Sequence, residues 1–537
     1  MKRIAIIATA GALALSMLGC TAKGGTSSAS PAKSGSSGGG GATVTVKVEV
    51  FDRGSDGGKT DPTNNQWTKW IKEKVLKDEN INVEFVRVPR GDESNALINL
   101  MAAGTPPDVC YTYSGDNITN WANQGGLFDM APYVDSVLKD LNTFLGPDKA
   151  IPGRQMIIRN QNNNTKEIHS IPARRMNVAM RNVFIRKDWL DTLGLPMPTT
   201  TEEYHAALLA FKNQDPGNVG AAKLIPFTIG GNRVDWNAGN LMEPFIDPKL
   251  SDKERWINNV AERNFLVAGY KEGLRFMNTL FNEGLVDRDF PLYKDAETPT
   301  NLIKSGVVGS FSGNWDDIYR EPNGMLTDLK KNVPAADIRP VDCITSADGI
   351  THKPSYDAAG VNLFIPLSCK NPDAAMRYIN WLARYENYHF IQTGPEGTVH
   401  EIVDGIPKLI PNAPDGWIQN SAQNIDYTLS MNGLFLGSDE SNIKALANGY
   451  SWPADRIVEA YSMSMNNARP GIVVVTKNPL VVAGPLTETL TQKGMVIYTQ
   501  AITCAADRFD SEYDRLVADW LSSGAQKIID ERAANFQ

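Results

Sequence analysis

Valines at 44, 46, 48 and 50 in TVTVKVEVF (Thr43 to Phe51) recur every second residue, the period of a strand with alternating faces. The period then changes. Trp67, Trp70, Ile71 and Val75 fall at helical spacing, INVEFVRV (Ile81 to Val88) returns to two, and Ala96, Leu97, Leu100 and Met101 line another helix face. Gly104 stands where a helix-ending glycine would. PDVCYTY (Pro107 to Tyr113) reads as a third strand and NITNWANQGG (Asn117 to Gly126) as a further short helix. This alternation predicts parallel β-α-β units and an α/β fold.

In such sheets ligands bind beyond the carboxyl ends of the strands, which makes the loop YSGDN (Tyr113 to Asn117) the first candidate site. Its plainer reading is a strand-to-helix turn with Asp116 as N-cap. A second α/β region starts near Arg181. Thr200 with Glu203 three residues on forms a capping-box pattern, so a helix should run to Phe211. KLIPFTIGG reads as strand and turn, GVVGSFSGNWDD (Gly306 to Asp317) as strand then loop, and Asn371 with Pro372 as a helix start. Near the C-terminus, Tyr513, Leu516, Val517, Trp520, Leu521, Ile528 and Ile529 line a helix pair broken near Gly524.

The first forty-two residues carry a different pattern. Lys2 and Arg3 precede an uncharged run from Ile4 to Leu18, too short to span a bilayer comfortably, and LALSMLGC ends it on Cys20. Thr21 to Ala42 is a Gly/Ser tract that cannot bury a core. As a flexible coil it holds the rest of the chain at roughly 25 Å. Residues 1–19 are thus expected to be a signal peptide and 20–42 a tether. The run resembles the lipobox of bacterial lipoproteins, with Met17 in place of the usual Leu; the resemblance implies acylation of Cys20 and anchoring by lipid at the outer face of the cytoplasmic membrane.

The remaining 495 residues suffice for two large lobes or a few ordinary domains. The formal charge of −8 becomes −10 once Lys2 and Arg3 leave with the leader. That balance argues against nucleic acid, which needs clustered cations, and permits a neutral ligand. Cys110, Cys343, Cys369 and Cys504 lack metal-binding spacing, and buried thiols are expected.

Known catalytic patterns are missing. The five histidines show no i, i+4 pair, GSFSG puts Phe311 where a nucleophile elbow needs serine, and no phosphate-binding glycine loop occurs. Asp316 and Asp317 beside Trp315 could serve a glycosidase with a distant partner, although adjacent loop acids are usually solvated caps. Trp121, Trp236, Trp315, Tyr356 and Trp417 lie among Gly, Asn and Asp. Such rings suit the apolar face of a pyranose, with Asp, Asn, Glu or Arg for its hydroxyls; they also fill ordinary cores.

Several segments together resemble the extracellular solute-binding proteins of ABC importers, in the large oligosaccharide-binding class. They are NLMAAGTPPDVCYTYSGDNITNWANQGGLFDMAPYV (Asn99 to Val134), RKDWLDTLGLPMPTTTEEY (Arg186 to Tyr204), GPEGTVHEIVDGIPKL (Gly394 to Leu409) and the helix start at Lys370 to Pro372. The resemblance implies a two-lobed periplasmic-binding-protein-like fold of type II, with a hinge and a ligand cleft. It places the N-terminal lobe at 43–174 plus about 361–440 and the C-terminal lobe at 175–360 plus about 441–537. Crossings are implied near Ser170 to Val178 and Tyr356 to Phe364. As ligand contacts it implies Tyr113 and Asp116 from the first loop, Trp236 and Trp315 as stacking rings, Asp316, Arg174 and Arg175 at the first crossover, and Glu396. Some relatives bind calcium before the IP strand; here Asp215 and Asn218 stand without further acids, fewer oxygens than calcium takes. No cofactor is expected, with calcium left as the open alternative.

The expected protein is a lipid-tethered monomer without catalytic activity, which takes up a carbohydrate by lobe closure and hands it to the permease subunits in the membrane. Two rivals remain: a surface glycoside hydrolase, which would release product, and a ligand-sensing partner of a membrane receptor.

Overall fold

β1 (Val44–Asp52) pairs in parallel with β2 (Ile81–Pro89) along its whole length, joined by α1 (Gln66–Glu79). α1 starts where Asn65 and Thr68 cap each other's backbone N–H groups, and it buries Trp67, Ile71 and Val75 against the sheet. α2 (Glu93–Ala102) leads through Gly104, at φ 68°, toward β3 (Cys110–Thr112). β3 is drawn beside β1, with Glu49 donating its N–H to the Val109 carbonyl at 2.9 Å. α3 (Gly115–Asn123) follows, and its cap is Ser114, whose hydroxyl accepts the Asn117 N–H at 3.1 Å. Asp116 therefore lies inside the first turn and is not the N-cap; Ser114 holds the extended backbone that a cap requires.

The structure, a computed structural model, describes residues 42–537 apart from 55–59, 146–161, 163–164, 230–233, 295, 321–324, 343–352, 411–413, 415, 418–423, 449–451, 467, 470–471, 473, 475, 479 and 537. The signal peptide, Cys20 and nearly all of the tether lie outside the described residues, as does Cys343. Residues 43–537 form one compact body.

β4 (Ile171–Arg175) ends the first stretch, and β5 (Arg181–Arg186) opens a separate sheet with β6 (Ile225–Thr228), β7 (Val308–Asn314) and β8 (Ile338–Val341) in the order β6-β7-β5-β8. Here only β6 and β7 are parallel. The capping pattern at Thr200 does start a helix, Thr201–Gln214, although Glu203 reaches back to the N–H of Thr199. β9 (Lys353–Pro354) leads to β10 (Ala359–Phe364), which re-enters the first lobe and runs antiparallel to β3 and β4. A hairpin of β11 (His400–Val403) and β12 (Ile406–Leu409) precedes β13 (Met431–Asn432), parallel to β4; β14 (Ala468–Arg469) then pairs with β9. The expected parallel units are seen in β1 with β2 and in the parallel bridge of Val48 to Val109, whereas β10, which no such unit included, runs antiparallel because it returns from the other lobe in the opposite sense.

The cores follow this weaving. One cluster joins Val46, Trp67, Leu97, Tyr111 and Ile171 to Leu363, Ile379, Trp381 and Tyr427. A second joins Val183, Leu208, Phe227 and Leu274 to Leu490, Tyr498 and Trp520, and a third joins Phe184, Phe311 and Trp315 to Ile457. Each buried aliphatic or aromatic side chain contributes roughly 1.5–3 kcal/mol, so both lobes depend on chain stretches far apart in sequence. Between them three crossing segments lie side by side. Arg175 N–H donates to the Ala358 carbonyl at 2.7 Å, Met176 N–H to Asn432 at 2.9 Å, and Tyr356 N–H to Val178 at 2.9 Å.

Candidate ligand cleft

The crossing segments bring side chains of both lobes to one place. On the first lobe, Tyr113 follows β3, where Glu93 accepts its N–H at 2.9 Å and the Thr112 hydroxyl at 2.8 Å. Arg90 pairs with Glu93 at 3.1 Å and lays its guanidinium 4.5 Å from the Tyr113 ring centre. Below this lie the Arg53–Asp426 pair, at 2.7 and 2.9 Å, and the fully buried Glu49. Burial pushes the Glu49 carboxyl well above its usual range, and the Glu93 and Asp426 carboxylates act in the same direction, against the hydrogen bond from the Tyr111 N–H.

Asn432 donates its side-chain N–H to the Tyr113 hydroxyl at 3.1 Å and sits opposite Arg175 in the β13–β4 register. The Arg175 guanidinium lies 4.2 Å from the Tyr356 ring centre. Tyr356 donates its hydroxyl to Asn314 at 3.3 Å, and burial pushes that hydroxyl up to about 12 against the pull of the Arg175, Arg181 and Arg320 cations. It is therefore a neutral donor at physiological pH. Trp236, half-buried in the helical turn Val234–Asn237, lies 5.9 Å from Tyr356 between ring centres. Its support is Arg181, 5.1 Å from the ring, which donates to the Asp235 and Trp236 carbonyls at 2.9 Å and to both Glu243 oxygens at 3.1 Å. Gly239 makes this possible, since a Cβ there would stand 2.4 Å from an Arg181 Nη.

Tyr113, Asn432, Arg175, Tyr356 and Trp236 thus form a continuous strip of rings and hydrogen-bonding groups across the crossing segments. Of the residues expected from sequence, Tyr113, Arg175 and Trp236 belong to it. The others stand elsewhere. Arg174, next along the strand and so on its other face, donates to the Phe144 carbonyl at 3.1 Å and lines a cavity of about 410 Å³ with Asp140, Arg384 and Tyr385. Asp116 accepts a hydrogen bond from Thr487. Glu396 is exposed in the turn before β11.

Trp315 corrects the expectation of a stacking ring. It is 3 % exposed, edge-on to Tyr461 at 5.4 Å, and part of the third core. Asp316, also 3 % exposed, pairs with Arg320 at 2.6 Å, which further engages Asp317 at 3.1 Å. Those carboxylates are held by a cation and by the Asn314 N–H, accepted by Asp317 at 2.7 Å. Of the loop aromatics, Trp121 packs on Phe364 and Trp417 on Trp67, both in the first core. Asn432, Arg90 and Arg181 gave no sequence signal, because each acquires its role from a strand or helix remote along the chain.

Asp215 accepts the N–H groups of Val219 and Gly220 at 3.0 and 2.8 Å. Cys110, Cys369 and Cys504 are free thiols, and burial pushes Cys369 up to about 12. Among the described residues no helix is long and apolar enough to cross a membrane.

Known proteins share part of this sequence and its fold. Lipoprotein LipO of Bacillus subtilis (strain 168) is 23 % identical over 341 residues, covering 60 % of this chain and 62 % of its own length. The fructooligosaccharide ABC transporter substrate-binding protein FusA of Streptococcus pneumoniae is 26 % identical over 41 % of this chain and 42 % of its own, and the polygalacturonan/rhamnogalacturonan-binding protein YtcQ of B. subtilis is 22 % identical over 50 % and 53 %. The chain therefore spans less than two thirds of these relatives. Among solved structures, alginate-binding protein AlgQ2 aligns over 92 % of this chain and 98 % of its own with a TM-score of 0.65 at 16 % identity, and FusA with fructo-nystose over 91 % and 98 % with 0.61 at 17 %. At that identity these structures establish the two-lobed α/β fold alone. The sequence profile described as bacterial extracellular solute-binding protein matches residues 60–388, more than half of the chain, and the chain belongs to that family.

Proposed function

We propose that this protein is the lipid-anchored substrate-binding component of an ABC importer, which captures an oligosaccharide between its lobes and delivers it to the permease. The observation that carries the reading is the strip from Tyr113 through Asn432, Arg175 and Tyr356 to Trp236, built from both lobes at their crossing. A ring stacks on the apolar face of a sugar, and amide, hydroxyl and guanidinium groups serve its rim. A ligand touching both lobes selects the closed arrangement by its differential affinity for it. The names of FusA and YtcQ, which refer to fructooligosaccharide and to polygalacturonan/rhamnogalacturonan, support a carbohydrate.

The same reading takes the lobes as 43–174 with about 361–440 and 175–360 with about 441–537, Cys20 as the acylated residue, and the protein as a monomer needing no cofactor. Binding leaves the ligand unchanged, since the adjacent acids Asp316 and Asp317 are engaged by Arg320. The test is a thermal-shift screen of residues 43–537 against an oligosaccharide panel, with product analysis of each mixture. A ligand well above its Kd raises Tm by linkage. A shift with intact sugar is the expected result; a shift with cleaved sugar would make the protein a hydrolase, and no shift across the panel would remove the carbohydrate.

A further inference from the structure

Most cations along the cleft have a carboxylate of their own. Arg181 has Glu243, Arg320 has Asp316 and Asp317, Arg53 has Asp426, and Lys353 has Asp342 at 3.0 Å. Arg175 has none. Among the described residues its guanidinium makes no hydrogen bond and no ion pair, and its Nε is closed off from solvent without a partner. The nearby Asp357 accepts the Ala359 N–H at 3.0 Å, within its own turn. Packing on Tyr356 fixes the plane of the Arg175 guanidinium, and a planar fork of donors matches a carboxylate or sulfate edge.

A second observation points the same way. Arg469 carries an Nη that is buried without an acceptor. Arg469 lies on β14, which pairs with β9, the strand that leads to Tyr356. The Arg469 carbonyl accepts the N–H of Ser355, the residue before Tyr356, at 2.9 Å. A partly buried guanidinium without an acceptor favours an anion beside it. The chain as a whole is acidic, so this local excess is a matter of placement and not of composition.

We propose that the ligand is an acidic oligosaccharide, with the carboxylate or sulfate of one sugar on Arg175 and that of another toward Arg469. The inference rests on the carbohydrate reading and names its substrate class. It is tested by calorimetric titration of residues 43–537 with trimers of galacturonate, glucuronate and mannuronate, their carboxyl-reduced neutral counterparts, and sulfated counterparts of the neutral trimers. A charge-assisted contact changes Kd by about 10- to 100-fold. At least one acidic trimer should bind that much more tightly than its neutral counterpart, and whether the uronate or the sulfated form does so identifies the acid group. Arg175→Gln should weaken the acidic trimer by a clearly larger factor than its neutral counterpart and so remove most of the difference, and Arg469→Gln provides an independent variant on another strand. Neutral trimers binding as tightly as acidic ones would overturn the inference and leave the carbohydrate reading standing. Arg175→Gln weakening both kinds alike would also overturn it. Binding of neither kind would overturn both.

Discussion

Trp236 and Trp315 invite the same substitution with opposite outcomes. Trp315 is 3 % exposed and packs edge-on against Tyr461, so Trp315→Ala leaves a hole in the third core. Truncating a buried Trp costs about 3–5 kcal/mol, and at about 2–4 °C per kcal/mol for a lobe of this size the Tm should fall by roughly 6–20 °C. Trp236 is half-buried and rests on Arg181 and Tyr356. Its removal gives up one cation–π and one ring contact, about 1–2 kcal/mol of stability together. The larger effect is on ligand: one ring face covering about 80 Å² of apolar sugar surface is worth about 2 kcal/mol, a Kd about 30-fold weaker. The assay is differential scanning fluorimetry of both variants, then calorimetric titration with whichever oligosaccharide gives the largest thermal shift. The refuting result is the reverse pattern: Trp315→Ala losing affinity at unchanged Tm, with Trp236→Ala binding normally.

Three further outcomes are expected from the geometry. Gly239→Ala pushes a methyl into Arg181, which should cost about 1–3 kcal/mol of stability and weaken ligand binding through the displaced Trp236; Tm and Kd measured together check it. Glu49 has its carboxyl raised on folding, so the folded state holds a proton the unfolded state has lost, and stability should be greatest below the ordinary glutamate value and fall as pH climbs through the folded one. Glu49→Gln should flatten that fall in a Tm-against-pH series, and an unchanged slope would refute the assignment. Asp116 in α3 and Thr487, at the start of a helix in the second core, bond across the lobes; Asp116→Ala removes about 1 kcal/mol from the closed arrangement and should enlarge the ligand-free radius of gyration in X-ray scattering.

The alternating valines of β1, the helical run of Trp67, Ile71 and Val75, and the glycine stops at 104 and 524 were legible because each is a local preference that packing reinforces. What escaped is non-local. β10 runs antiparallel to β3 because the chain has visited the other lobe between them, and no period in the sequence records that excursion. The candidate site divides the same way. Tyr113 was readable from the rule that ligands gather at strand ends, and Trp236 and Tyr356 from aromatics among turn residues. Trp315 has the same neighbours in sequence, yet Tyr461 from a distant helix covers it. Asn432 enters only because β13 pairs with β4, and Arg469 because β14 pairs with β9.

Hydrogen exchange of residues 43–537, with and without a saturating oligosaccharide, tests the central claim most directly, because backbone protection reports where the ligand holds the chain. The account predicts ligand-dependent slowing in peptides around Tyr113, from Arg175 to Arg181, from Ser355 to Ala359 and around Asn432, on both lobes at once. Slowing confined to the cavity lined by Asp140, Arg174 and Arg384, or to a single lobe, would contradict it.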